Sequence, residues 1–386
     1  METYDFAVIG GGMMGAPCAR HLAEAGHSVA LVAAPEPEAG EAGPWGSHFD
    51  AARIARHLAA DADWSLLSAR SVARYRDLER RAGAKLFAEV GAVMAGHVSG
   101  PMEGWTRGWI DVARGMPERV RLMGGRMDAV GWVPPARSFV AHERRGAGWI
   151  DPRAMREAQA RLAEAAGATV LRTAAVGRDG GTVRLADGGA VSAGHVVVAT
   201  GPHAASDGLL PARPAMTVWA RTVAFVHLDP AEARRLSKLP SIIWTPDETW
   251  DHDLYALPPV RYPDGGYRLK VGGQKDGPVI ADAGGMRDWF AGDGDAAVGD
   301  RLLDALRALL PDLAEAGTST GPCAVVWTET GYPYVDAAGP GVTVLCGGNG
   351  AAAKCGDELG RLGMLVATGA GLTGEGYAAD FRAVWA

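Results

Sequence analysis

Tyr4-Asp-Phe-Ala-Val-Ile-Gly-Gly-Gly-Met-Met-Gly15 is the stretch on which the reading of this chain turns. Phe6 to Ile9 is a short apolar run of the kind that forms a strand buried on both faces of a parallel sheet. It leads into Gly10, Gly12 and Gly15, spaced G-x-G-x-x-G, and then into an apolar helix predicted from Met14 to about Ala25. Each glycine has its own task. Gly10 allows the tight turn, Gly12 lets backbone approach a pyrophosphate, and Gly15 lets helix and strand pack closely. The helix N-terminus behind them offers unpaired N–H groups and a partial positive charge, which suit phosphate. In a chain with 54 glycines the spacing alone says little. Set between a strand and a helix within the first fifteen residues, it predicts a dinucleotide site that includes Met13 and Met14.

A chain of 386 residues has room for two modest domains. Its 48% hydrophobic and 22% charged content is that of an ordinary soluble globular protein. A net charge of −7 argues against nucleic acid or an anionic membrane as a partner. Cys18, Cys323, Cys346 and Cys355 fit neither a disulfide framework nor a zinc spacing, so no metal is expected and a reducing cytoplasm is the simplest home. The acidic opening Met1-Glu2-Thr3-Tyr4 runs straight into the first strand, which predicts no signal peptide. No apolar run reaches membrane-spanning length. Oligomeric state is not written in the sequence, and a monomer is the default expectation.

Beyond the first helix, Ser28 to Ala33 predicts a second buried strand. An acidic residue at its end would bind the adenosine ribose, yet Ala33 and Ala34 stand there, with Glu36 and Glu38 slightly beyond. The segment Gly46-Ser-His-Phe-Asp-Ala-Ala-Arg-Ile-Ala-Arg-His57 follows. Its Arg53 and Arg56, three apart on a helical turn with His48 and His57 nearby, read equally as a solvated basic turn or an anion site. Ala62 to Ala82 has helical periodicity, with Trp64, Leu67, Val72, Tyr75 and Leu78 on one stripe. Leu86 to Ala95 predicts a strand pair that opens a different unit. Asp151 and Pro152 are N-cap and first residue of a helix to about Ala166. Gly167 to Val176 returns to the first sheet, and Asp187-Gly188 marks a hairpin. His195 to Gly201 is an apolar strand closing on Ala-Thr-Gly, with Thr200 and Gly201 at its end, a pattern of flavoproteins more than of nicotinamide enzymes. Pro211 to Ala283 alternates as antiparallel strands do, and Asp300 to Leu313 predicts an amphipathic helix. Val342 to Leu345, the Cys346–Gly350 loop and a helix from Lys354 to Thr368 bring the chain back to the first domain.

Together these segments resemble the D-amino-acid oxidase superfamily of FAD enzymes, and within it the monomeric sarcosine oxidase and N-methyl amino acid oxidase branch. The resemblance covers most of the chain. It rests on Gly10-x-Gly12-x-x-Gly15, Gly46-Ser-His-x-Asp-x-x-Arg53-Ile-x-Arg56-His57, Trp149-Ile-Asp-Pro, Val198-Ala-Thr-Gly-Pro202, Leu269-Lys270-Val-Gly272 and Gly348-Asn-Gly350 with Lys354. It implies an α/β fold: a Rossmann-type FAD-binding domain (residues 1–84, 150–210 and 321–386) and an antiparallel-sheet α+β substrate domain (85–149 and 211–320). Arg56 and Lys354 match the two cations that hold the substrate carboxylate, Arg53 a residue beside the flavin ring, and Tyr255 a substrate-contacting tyrosine. Lys270 matches a lysine that favours electron transfer to O2, whereas strand alternation alone makes it one residue of a solvated face. The loop Gly348, Asn349, Gly350 and Ala351, ending at Lys354, caps the flavin pyrimidine edge. Ser47, His48, Val176, Thr200 and Gly201 complete the expected cofactor contacts.

Two departures bear on the cofactor linkage. Members that tether FAD use a cysteine two residues before an aromatic-Thr pair; the position here is Val325, before Trp327-Thr328, with Cys323 two residues upstream. The second histidine of the tethered forms is Phe49. FAD bound without a covalent link is expected, with Cys323 as the alternative attachment point. Trp219, Trp244, Trp250 and Trp327 are candidates for an aromatic pocket lining. The activity implied is oxidation of a secondary, N-methyl or cyclic amino acid to an imine, with O2 reduced to hydrogen peroxide. The alternatives are a dehydrogenase or ring-desaturating biosynthetic enzyme of the same fold, a nicotinamide enzyme, or a non-catalytic flavin carrier.

Overall fold

The all-apolar runs of the N-terminal half assemble into one parallel sheet, as their burial on both faces demands. The computed structural model describes residues 2–38, 41, 43–46, 48–124 and 131–386; the expected cofactor contact Ser47 lies outside them. Thr3–Ile9 sits at the centre of the sheet, paired in parallel with Val29–Val32 on one side and Ala190–Val198 on the other. Thr169–Leu171 extends the sheet beyond Val29–Val32, and Val342–Cys346 extends it beyond Ala190–Val198. Chain segments far apart in sequence are therefore neighbours. The Asp187-Gly188 turn joins Thr182–Leu185 to Ala190–Val198, which continues unbroken through the apolar strand expected from His195.

Local signals in the sequence set the helix ends. Asp61 caps Ala62–Ala82 by accepting from Trp64 N at 2.9 Å, and Gly83 ends that helix at φ +61°. Its stripe from Trp64 to Leu78 is buried. Asp151 likewise caps Pro152–Ala165, while Trp149 and Ile150 belong to a short strand just before it. The helix expected at 300–313 begins earlier, at Ala296, because Asp295 supplies the N-cap through Val298 N.

The second sheet has eight strands, in the order Gly317–Thr328, Met216–Leu228, Tyr267–Gly272, Leu254–Arg261, Ser241–Trp244, Ala92–Gly96, Phe139–Glu143 and Val120–Gly124. All neighbours are antiparallel except Ser241–Trp244 and Ala92–Gly96. The strand pair expected over Leu86 to Ala95 does form as two strands, but they part company. Ala92–Gly96 joins the large sheet, while Phe87–Ala88 pairs with Gly148–Ile150. That same short strand pairs with Arg53–Ala55, so the arginine segment is extended and not helical. Pairing with Gly148–Ile150 overrides the helical spacing of Arg53 and Arg56. No helix among the described residues is long and apolar enough to cross a membrane.

The closing helix Gly356–Ala367 lies against the first helix, Gly15–Glu24, at backbone distance. A Cβ placed on Gly360 would stand 2.5 Å from Pro17 Cβ and 2.6 Å from Cys18 N. Overpacking of this kind costs about 1–3 kcal/mol. Gly360→Ala is therefore expected to lower the urea midpoint of the holoprotein, and to weaken cofactor retention because the first helix must shift. A midpoint equal to wild type would show that the contact is loose.

Candidate active site

The two sheets enclose a cavity of about 1220 Å³ that runs from the end of Val29–Val32 to the face of the second sheet. Its inner end is the glycine turn. Gly10 has φ +108°, and a side chain there would collide with the Ala199 carbonyl. Gly12 faces open space, and Gly15 is pressed against the Gly10 carbonyl. The turn at Gly10 and the close packing at Gly15 are as the spacing predicts, and the space at Gly12 is open. No side chain caps the first helix at Met14, and the Ala16 N–H is taken by the Gly12 carbonyl at 3.2 Å. Gly10, Gly12, Met13, Met14, Thr200 and Gly201 all line this end.

Arg156, which sequence reasoning passed over, braces the turn. Its Nε donates to the Gly11 carbonyl at 3.0 Å and its Nη2 to the Ala34 carbonyl at 3.3 Å. Glu36 does curl back: it lines the cavity, while Glu38 is exposed. Arg153 lies 2.7 Å from the Glu36 carboxylate, off the line of its N–H. His48 lines the same region, but burial and the charges of Arg156, Arg53 and Arg153 push its imidazole down to about 3. It is uncharged at neutral pH and adds no cation to the field. Val176 does not line the cavity. It is 59% exposed, and the lining comes from Thr173, Ala174 and Ala175 just before it.

At the other end the cavity meets cations. Arg53, Arg56, Lys354 and Tyr255 all line it. Arg56 Nε and Nη1 are shut off from solvent and have no hydrogen-bond partner. Glu143, 1% exposed, holds the backbone behind Arg56: it accepts from the N–H groups of His57 and Leu58 at about 3.0 Å and bonds the His57 ring. Lys354, 3% exposed, donates to the Ala351 carbonyl at 2.7 Å; burial, with Arg56 nearby, brings its ammonium down to about 8. The loop before Lys354 therefore delivers it to the cavity. Asn349 adopts φ +45°, and its amide is committed within the protein, to Thr328 N at 2.9 Å and the Gly347 carbonyl at 3.0 Å. Gly348, Gly350 and Ala351 line the cavity beside it.

Lys270 is 1% exposed, which overturns the solvated-face reading of its strand. It does not line the cavity directly. Its ammonium bonds the Asp50 carboxylate and the Ala52 carbonyl, the latter at 2.6 Å. Asp50 also accepts from Arg53 at 2.6 Å and from Tyr262 at 3.1 Å. Two cations around one anion leave this cluster with a net charge of +1. Burial brings the Lys270 ammonium down to about 8, with Asp50 opposing, and the two cations hold the Asp50 carboxyl well below the usual range.

Of the four tryptophans, Trp219 and Trp327 line the cavity, joined by Trp45, Trp64 and Trp105. Trp244 is core, 1% exposed, and Trp250 packs against the second-sheet core outside the cavity. Cys323 and Val325 both line it. Among the described residues no group of three or more His, Cys, Asp or Glu could hold a metal ion.

A cavity with a glycine turn at one end and cations at the other fits a dinucleotide with a reactive ring. The comparisons agree. NikD, titled an unusual amino acid oxidase essential for nikkomycin biosynthesis, superposes with a TM-score of 0.73 at 24% identity, over 100% of this chain and 98% of that one. Glycine oxidase from Geobacillus kaustophilus gives 0.72 at 19% identity over 100% and 99%. L-proline dehydrogenase from P. horikoshii gives 0.74 at 16% over 95% and 94%. At such identities these likenesses speak for the fold. No curated protein matches the chain by sequence. The DAO family model, described as FAD dependent oxidoreductase, matches residues 5–368. The chain therefore belongs to the FAD dependent oxidoreductase family and is a flavoenzyme.

Proposed function

We propose that the chain oxidises the C–N bond of a secondary, N-methyl or cyclic amino acid to an imine, which water hydrolyses, and that O2 takes the electrons and becomes hydrogen peroxide. The observation that carries this reading is the unpartnered Arg56 guanidinium beside Lys354. A buried cation without a partner costs several kcal/mol unless an anion meets it. A planar carboxylate suits the guanidinium fork, and Lys354 adds a compact second charge. Held at two points, the substrate would present one carbon to the ring end of the cavity.

Bound FAD supplies the two-electron acceptor. Gly10, Gly12, Met13, Met14, Thr200 and Gly201 would hold its pyrophosphate, and Glu36 is placed to receive the ribose hydroxyls. Gly348, Gly350 and Ala351 would lie along the ring edge, with Asn349 acting through its grip on Thr328. The linkage is read as non-covalent, with Val325 where an attachment cysteine would stand. The Lys270–Asp50–Arg53 cluster would supply positive charge for the reduction of O2. A unit charge about 6 Å away at an effective dielectric near 20 is worth ~3 kcal/mol, or on the order of 100-fold in rate.

Three outcomes are expected. Acid precipitation should release all of the FAD into the supernatant; yellow colour retained on the pellet would move the attachment to Cys323. Arg56→Ala should lower kcat/KM by about 100-fold, mainly through KM, since a charged hydrogen bond contributes about 1.5–3 kcal/mol; an unchanged KM would remove Arg56 from carboxylate binding. In stopped-flow experiments Lys270→Met should slow reoxidation by O2 by roughly 100-fold and spare anaerobic reduction. Unaltered reoxidation would remove that role from Lys270, whereas wild-type protein yielding no peroxide per substrate consumed would point to another electron acceptor.

A further inference from the structure

A carboxylate shares the cavity with the unpartnered guanidinium. Asp253, at the head of Leu254–Arg261, lines the same space as Arg56. Burial pushes its carboxyl up, with Arg56 acting against that shift, so the two groups feel each other's field. Among the described residues they nevertheless form no ion pair, and the one hydrogen bond given to the Asp253 carboxylate comes from its own backbone N–H. The charges next to it are already matched: Asp251 bonds both Lys275, at 2.5 Å, and His252, at 2.9 Å. Opposite charges in a poorly solvated cavity attract strongly, and leaving both unpaired is costly. Held apart, they are complementary to a ligand that carries both signs.

We propose that Asp253 is the counter-charge for the substrate's ammonium, so that the cavity selects zwitterionic amino acids over plain carboxylic acids. This rests on Arg56 and Lys354 holding the carboxylate. Asp253 carries no local signature, lying two residues before Tyr255 in a stretch rich in Asp and His, and is singled out by lining the same cavity as Arg56. A substrate with no basic nitrogen would meet Asp253 as a repelling, desolvated charge.

The test uses matched ligands that differ only in the amine: glycine against acetate, L-alanine against propionate, L-proline against cyclopentanecarboxylate. Each is titrated anaerobically into the oxidised holoenzyme, followed by flavin absorbance and by Tm. The wild type should bind at least one amino acid more tightly than its amine-free partner. Asp253→Asn and Asp253→Ala should weaken that amino acid by about 10-fold or more, as expected for loss of a charged hydrogen bond. They should also bind the amine-free acid at least as tightly as the wild type does. Asp253→Glu should restore the preference for the amine, which a merely structural role would not require. A selectivity ratio unchanged in Asp253→Asn, or a wild type that prefers the amine-free acid in every pair, overturns the proposal. Arg56→Ala separates the two readings: it should weaken both members of a pair alike. If it weakens neither, the carboxylate assignment fails whatever Asp253 does.

Discussion

A guanidinium with two nitrogens closed off from water and nothing to bond is the constraint around which the site is arranged. Such a group is tolerated only if the surrounding fold forces it, and here the forcing is visible. Arg53–Ala55 is locked into a three-stranded sheet with Gly148–Ile150 and Phe87–Ala88. Glu143, on a strand of the large sheet, takes the next two backbone N–H groups and the His57 ring. The backbone on either side of Arg56 is thus fixed, and the side chain has little freedom to find water. Stability is given up locally so that a ligand can recover it.

The opposite end of the cavity obeys a different rule, contact between backbones. The first helix is pressed between the glycine turn and the closing helix, where Gly360 leaves no room for a Cβ. Close packing aims the uncapped end of that helix into the cavity, and Arg156 fixes the turn by bonding two carbonyls. One end of the site is built from backbone dipoles, the other from side-chain charges. That division suits a ligand whose phosphates stay in place while a small molecule exchanges at the far end.

Much of this was legible in the sequence where local chemistry decides. The glycine turn, the cap at Asp151, the Asp187-Gly188 hairpin and the buried parallel strands could all be read from residues close together. Failures came where distant segments decide. Arg53 and Arg56 look helical by spacing but are drawn into a strand by Gly148–Ile150. Lys270 alternates like a surface residue, yet Asp50, 220 positions away, holds it in the interior. Val176 follows the lining residues but turns outward on its strand, while Glu143, Arg156 and Asp253 carry no local signature. A lone charged residue reads as surface until the element facing it is known.

His48 has a consequence for how the protein meets a changing environment. Ringed by arginines and held neutral down to about 3, it gains no proton anywhere in the range a cell experiences. Lys354 and Lys270, both brought to about 8, titrate within reach of mild alkalinity. The histidine is thus silent over the range in which the two lysines change charge.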